Sequence, residues 1–115
     1  MADIQSLTKK LVKFHIERDW KQFHNPKDLA LSLVLESAEV LEHFQWKSEK
    51  EIAAYIKTHK KEIGEELADA FNWILTLSHD LGIDILKASE AKIKANAKKY
   101  PVKKAKGNAK KYTEL

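Results

Sequence analysis

Apolar side chains recur at helical spacing along nearly the whole chain. Ile4, Leu7, Leu11 and Phe14 share one stripe and predict a first helix from about Ile4 to Asp19, stopping near Trp20. Asn25 followed by Pro26 is a helix start, because the Asn side chain can accept from an orphan amide and proline's fixed φ suits the first helical position. A second helix follows over roughly Pro26 to Gln45. Ser48 and Glu51 have capping-box spacing and predict a third helix from about Glu49 to Asp80, kinked near His59 to Lys61, with Gly82 as its C-terminal cap. Asp84 starts a fourth through about Ala97, which must end by Pro101 since the residue before proline disfavours helix geometry. From Val102 to Leu115 the Lys-rich sequence reads as an extended or mobile arm. The expectation is all-α: a helical domain over 1–101 and a basic arm over 102–115.

Two of the apolar stripes carry acids. Leu29, Leu33, Glu36 and Val40 form one; Ile63, Glu66, Ala70, Trp73 and Leu77 form the other. Residues three apart lie about 60° apart around a helix, so Glu36 with Glu39, and Glu66 with Asp69, each project from one side. A carboxylate on a core-facing stripe loses hydration, and two like charges about 4 Å apart repel by roughly 4 kcal/mol at an effective dielectric near 20. If the second and third helices pack antiparallel, the two pairs meet and call for a cation. An all-oxygen, all-anionic set suits Mg²⁺ or Mn²⁺ better than zinc or copper. The competing reading keeps these acids on solvated faces, paired with Lys47, Lys50, Lys60 or Lys61, and spacing leaves both open.

Composition narrows the setting. With 115 residues and 43% apolar content the chain suits one domain with a core, and without cysteine it offers neither disulfide nor thiolate ligand. No signal-peptide pattern and no apolar run near the roughly 18 residues of a membrane span is present, so a cytoplasmic protein is expected. The net charge of +4 conceals an acidic body and a basic tail: residues 1–90 carry 12 Lys/Arg against 16 Asp/Glu, residues 91–115 carry 9 Lys against Glu114. Such a tail can meet nucleic acid, an acidic surface or the phosphates of a small ligand.

Beyond the acids, the chain resembles a known family. E36-S-A-E39 followed by E66-L-A-D69 is similar to the Glu-x-x-Glu, Glu-x-x-Asp signature of the MazG-like nucleotide pyrophosphohydrolases, in the all-α NTP pyrophosphatase superfamily that includes the dCTP pyrophosphatases. R18-D-W-K-Q-F-H24-N-P, F44-Q-W-K47, K92-x-x-x-N96-x-x-x-Y100-P and K111-Y-T-E-L115 also look like segments of it. The resemblance implies a four-to-five-helix antiparallel bundle assembled as a homodimer or homotetramer. It further implies Mg²⁺-dependent hydrolysis of a nucleoside triphosphate, dCTP as first guess, to monophosphate and pyrophosphate. Glu36, Glu39, Glu66 and Asp69 would be the metal ligands and catalytic acids, one of them or the adjacent Glu65 or Glu42 orienting the attacking water. Lys92 would meet phosphate and Asn96 would donate hydrogen bonds to the nucleotide.

Trp20, Trp46 and Trp73 are the candidates for stacking on the base. Trp20 and Trp46 are favoured, with Trp73 read as a core residue whose indole lies near the site. His24 reads as a capping or surface residue, or else a ligand contact. Two other classes compete: a nucleic-acid-binding module using the Lys-rich arm, whose binding would fall steeply with salt and ignore Mg²⁺, and a helical bundle without a metal. The acidic body argues against a large nucleic-acid footprint, and neither nucleic acid nor membrane is expected as partner.

Overall fold

The structure, a computed structural model, describes residues 3–115, and every element among them is helical. The chain divides into two compact units, 1–82 and 83–115. In the first, α1 (Ile4–Glu17) leads through a 3-10 turn (Lys21–Phe23) to α2 (Pro26–Glu42) and then to α3 (Glu49–Asp80). In the second, α4 (Ile85–Lys99) is followed by the short α5 (Val102–Ala105) and a 3-10 turn (Tyr112–Glu114).

The helix starts are where side chains can satisfy orphan amides. The Ser48 hydroxyl accepts from Glu51 N–H at 3.2 Å and Glu51 Oε1 accepts from Ser48 N–H at 3.1 Å. The Asn25 amide oxygen accepts from Asp28 N–H at 2.9 Å, and Asp84 Oδ1 from Lys87 N–H at 3.1 Å. Asp3 and Ser6 make a further reciprocal box ahead of α1 at 2.8 and 3.0 Å. Each such cap contributes about 1 kcal/mol. Gly82 closes α3 with φ +67°, a conformation glycine adopts freely.

At 32 residues α3 is about 48 Å long at 1.5 Å per residue, and it bends at His59 (φ −125°, ψ 18°). The cause is local: the His59 ring nitrogen Nδ1 reaches the Tyr55 carbonyl at 3.1 Å, as does the Thr58 hydroxyl at 3.2 Å. Side-chain groups thus occupy the carbonyl that the helical ladder would use.

Helix α2 packs along α3, joined to it by a short connection that makes the pair antiparallel, and α1 packs on α3 as well. The core is small. Leu29 and Leu75 are the fully buried apolar side chains, whereas Leu31, Val34, Leu35 and Leu41 on α2 remain more than half exposed. These four lie on the side of α2 opposite Leu29, Leu33, Glu36 and Val40, so α2 is apolar front and back.

The second unit departs from the extended arm that the Lys-rich sequence suggests. Pro101 ends α4 and opens α5, and the chain after Gly107 (φ +81°) turns back to set Tyr112 edge-on to Tyr100 at 6.0 Å between centroids. The Lys99 ammonium sits 4.8 Å from the Tyr112 ring. Two tyrosines and a cation thus meet across the turn, a contact that composition does not encode.

Candidate active site

Helix α2 carries Glu36 and Glu39 and the second half of α3 carries Glu66 and Asp69, and Glu36 lies near enough to the other three to be affected by their charge. Glu36 is half-buried and its Oε2 lies out of solvent with no hydrogen-bond partner. Burial lifts the Glu36 carboxyl above the ordinary carboxylate range, the adjacent Glu39 carboxyl adds to this, and the charges of Asp69 and Glu66 follow. Glu36 therefore feels three further acids from two helices, and lysines do not intervene: among the described residues the one basic side chain against these acids is the His43 imidazole, at Glu66.

That contact extends into a chain of groups. His43, at the C-terminal end of α2, sets its Nε2 against Glu66 Oε2, while its Nδ1 lies 2.6 Å from the Tyr55 hydroxyl. The donor set at the acids is all oxygen, and the orphaned Glu36 Oε2 asks for a positive partner, which fits a hard divalent cation. Among the described residues no three acid or imidazole groups are yet placed to hold a metal ion together. Mg²⁺ is suited to such an open set, because it keeps waters and shares its sphere with substrate phosphates.

Along α3, Asp69 and Trp73 lie one turn apart, a rise of about 6 Å. Trp73 opens onto a cavity of about 370 Å³ between α1 and α3, lined also by Leu11, Phe14, His15, Trp20 and Asn72. Its walls are aromatic: His15 stacks on Trp73 (6.0 Å, 11°) and Trp20 meets Phe14 edge-on (5.6 Å, 77°). Burial lowers the His15 pKa below 6.5, assisted by the neighbouring His24 and opposed by Asp80. A neutral imidazole thus belongs to this wall. A flat, mainly apolar slot with an amide at its edge suits a heteroaromatic ring.

A family model, MazG-like, matches residues 31–115. The chain belongs to the MazG-like family. It is 39% identical over 105 residues to proteins named dCTP pyrophosphatase 1 of Rattus norvegicus and Mus musculus, and 36% identical to that of Homo sapiens. These alignments cover 90% of this chain and 62% of those proteins, so the chain spans under two thirds of their length. In three dimensions it resembles a pyrophosphatase from Archaeoglobus fulgidus with a TM-score of 0.83 at 35% identity, covering 88% of this chain and 94% of that one. The all-helical fold expected from the sequence is thereby confirmed.

The MazG-like span contains the four acids, Lys92 and Asn96, but opens inside α2, so the α1 wall of the aromatic cavity lies outside it. Of the three tryptophans, Trp20 and Trp73 share the cavity. Trp46 stands apart, 92% exposed and with φ 65°, a left-handed backbone that is costly for so large a residue. Trp73 is thus a wall of the cavity, beyond the core role its stripe suggests. His24 does not cap α2, since Asn25 does so; its backbone N–H closes the 3-10 turn by donating to the Lys21 carbonyl at 3.0 Å. Its ring is edge-on to His15 (4.7 Å) and to Trp73 (5.9 Å), with Nδ1 buried and unpartnered. Lys92 and Asn96 are exposed one turn apart on α4, in the second unit.

Sequence reasoning missed His15, Asn72, and the His43–Tyr55 pair. For His43 a signal exists: it lies seven residues after Glu36 and so on the same stripe of α2. Asn72 and His15 carry no comparable mark, because which face of α1 meets which turn of α3 is decided by packing.

Proposed function

We propose that this chain hydrolyses nucleoside triphosphates, deoxynucleotides and dCTP foremost, between the α and β phosphates. The products are a nucleoside monophosphate and pyrophosphate. The observation that carries the reading is the half-buried Glu36, its Oε2 without a partner, near three further carboxylates from two helices, one turn along α3 from an aromatic slot. The names of its relatives point the same way.

Glu36, Glu39, Glu66 and Asp69 would hold Mg²⁺, with Mn²⁺ as substitute; when bound, the ion supplies charge neutralisation at phosphate oxygens. Around it the chain's own residues have separable tasks. One of the four acids, or Glu65 or Glu42 beside them, orients the attacking water. Trp20 and Trp73 sandwich or flank the base, Asn72 offers both an amide donor and an acceptor to its edge, and Trp46 serves as a stacking residue reaching a neighbouring copy's site. Lys92 neutralises phosphate charge and Asn96 donates hydrogen bonds to the nucleotide.

Trp46 at 92% exposure and the apolar back of α2 both favour a homodimer or homotetramer. Among the described residues no helix is long and apolar enough to cross a membrane, and we place the protein in the cytoplasm.

The test is to incubate the protein with each common NTP and dNTP plus Mg²⁺ and identify the products. Pyrophosphate with monophosphate is expected. Orthophosphate with diphosphate would mean that a different bond is cleaved, and no turnover with either Mg²⁺ or Mn²⁺ would refute the activity on common nucleotides.

A further inference from the structure

His43 joins three places that the helices otherwise keep apart. It sits at the end of α2, in contact with Glu66 after the bend of α3 and with Tyr55 before it. Its Nε2 and Glu66 Oε2 are both buried and have no partner but each other. Nδ1 lies 2.6 Å from the Tyr55 hydroxyl; with that O–H donating to Nδ1, Nε2 carries the hydrogen and faces the carboxylate, in a close approach to Oε2 that lacks hydrogen-bond geometry.

Tyr55 in turn is held on its ring faces. The ring of His59, at the bend, stacks on it at 3.9 Å with a 2° interplanar angle, and the Lys47 ammonium lies 4.4 Å from its centroid. Lys47 also donates to the His43 carbonyl at 2.8 Å. The imidazole is therefore held on both sides, and it lies against one oxygen of Glu66, Oε2.

We propose that His43 is a positioning residue for Glu66: buttressed by the Tyr55 hydroxyl, it holds the carboxylate in the rotamer that presents Oε1 to a divalent cation. A donor behind an ion-binding carboxylate removes rotamers that the ion would otherwise have to freeze out, and losing such a partner costs roughly 10–100-fold in metal affinity. The inference rests on the ion-binding reading of the acids given above. It assigns His43 and Tyr55 a place in that reading which the acidic signature does not contain.

The discriminating measurement is Mn²⁺ binding to the whole chain without nucleotide, followed by electron paramagnetic resonance of free Mn²⁺, with melting temperature in EDTA as the control for folding. His43→Leu should weaken binding by about 10-fold or more, and His43→Gln, whose amide can replace Nε2–H, should recover most of it. Tyr55→Phe keeps the stack on His59 and the contact with Lys47, so it reads the hydroxyl alone even if His43→Leu fails to fold; a loss of about threefold or more is expected. Wild-type affinity in Tyr55→Phe, or in a folded His43→Leu, would overturn the proposal while leaving the ion site standing. Wild-type protein that binds no Mn²⁺ would overturn both.

Discussion

Neutralising Glu36 should make the protein more stable and less active. In Glu36→Gln the shape is kept, and what disappears is a negative charge that burial and three neighbouring carboxylates disfavour. Like charges about 4 Å apart repel by roughly 1 kcal/mol in water and roughly 4 kcal/mol at an effective dielectric of 20. Glu39 and Asp69 are exposed, so the watery end applies. The relief then amounts to about 1–2 kcal/mol, and each kcal/mol moves the melting temperature of a domain of this size by about 4 °C or somewhat more. Differential scanning calorimetry in EDTA at fixed protein concentration should show this rise. The pH dependence gives the sign independently. Because the folded carboxyl titrates above its ordinary value of 4.5, the folded state binds more protons than the unfolded state in that window. Wild-type stability in EDTA therefore falls as pH rises through it, and Glu36→Gln flattens the slope. With Mg²⁺ or Mn²⁺ the order reverses, since an ion at 100 times its Kd adds about 2.7 kcal/mol to a protein that binds it. A melting temperature lowered by Glu36→Gln in EDTA, or a wild-type protein indifferent to both ions, would refute the reasoning.

Three further outcomes are expected. Leu75→Ala, at a site on α3 that is 1% exposed, should cost about 2–4 kcal/mol, read as a lower urea midpoint at unchanged slope; a loss under about 0.5 kcal/mol would contradict that burial. Leu35→Glu places a charge on the apolar back of α2 and should reduce the mass in sedimentation equilibrium to that of one 13.2 kDa chain, whereas an unchanged oligomer would move the interface elsewhere. His15 titrates below 6.5, so the unfolded state binds more protons just under that value and stability is lost as pH falls from about 6.5. Chemical denaturation between pH 5 and 7 should show that slope, and His15→Gln should reduce it.

The parts of this protein that could be read from the chain are those settled within one helix. Ser48 with Glu51, Asn25 with Pro26 and Gly82 mark ends through their own backbone neighbours, and the bend near His59 falls where expected. The acids were legible for a different reason: Glu36 and Glu66 are charged where their stripes are apolar, a local conflict that needs a compensating partner. His43 has the same stripe position and passed unnoticed, because a histidine there conflicts with nothing until Tyr55 and Glu66 are known to flank it. The back of α2 was visible as Leu31, Val34, Leu35 and Leu41, yet one apolar face already accounts for packing on α3, and a second means something only once those residues are found exposed. At the C-terminus lysine content conceals the turn after Gly107 that brings Tyr112 to Tyr100, a contact that no composition encodes. Legibility thus followed the range of the compensation. An acid whose need is met by an ion leaves its mark in the sequence as an unexplained charge, whereas a group whose need is met by another helix leaves none. The corollary bears on the site itself: the residues most visible in the chain are the four that, among the described residues, have no lysine or arginine partner, and the ones packed against them, such as His43 at Glu66, become visible only through packing.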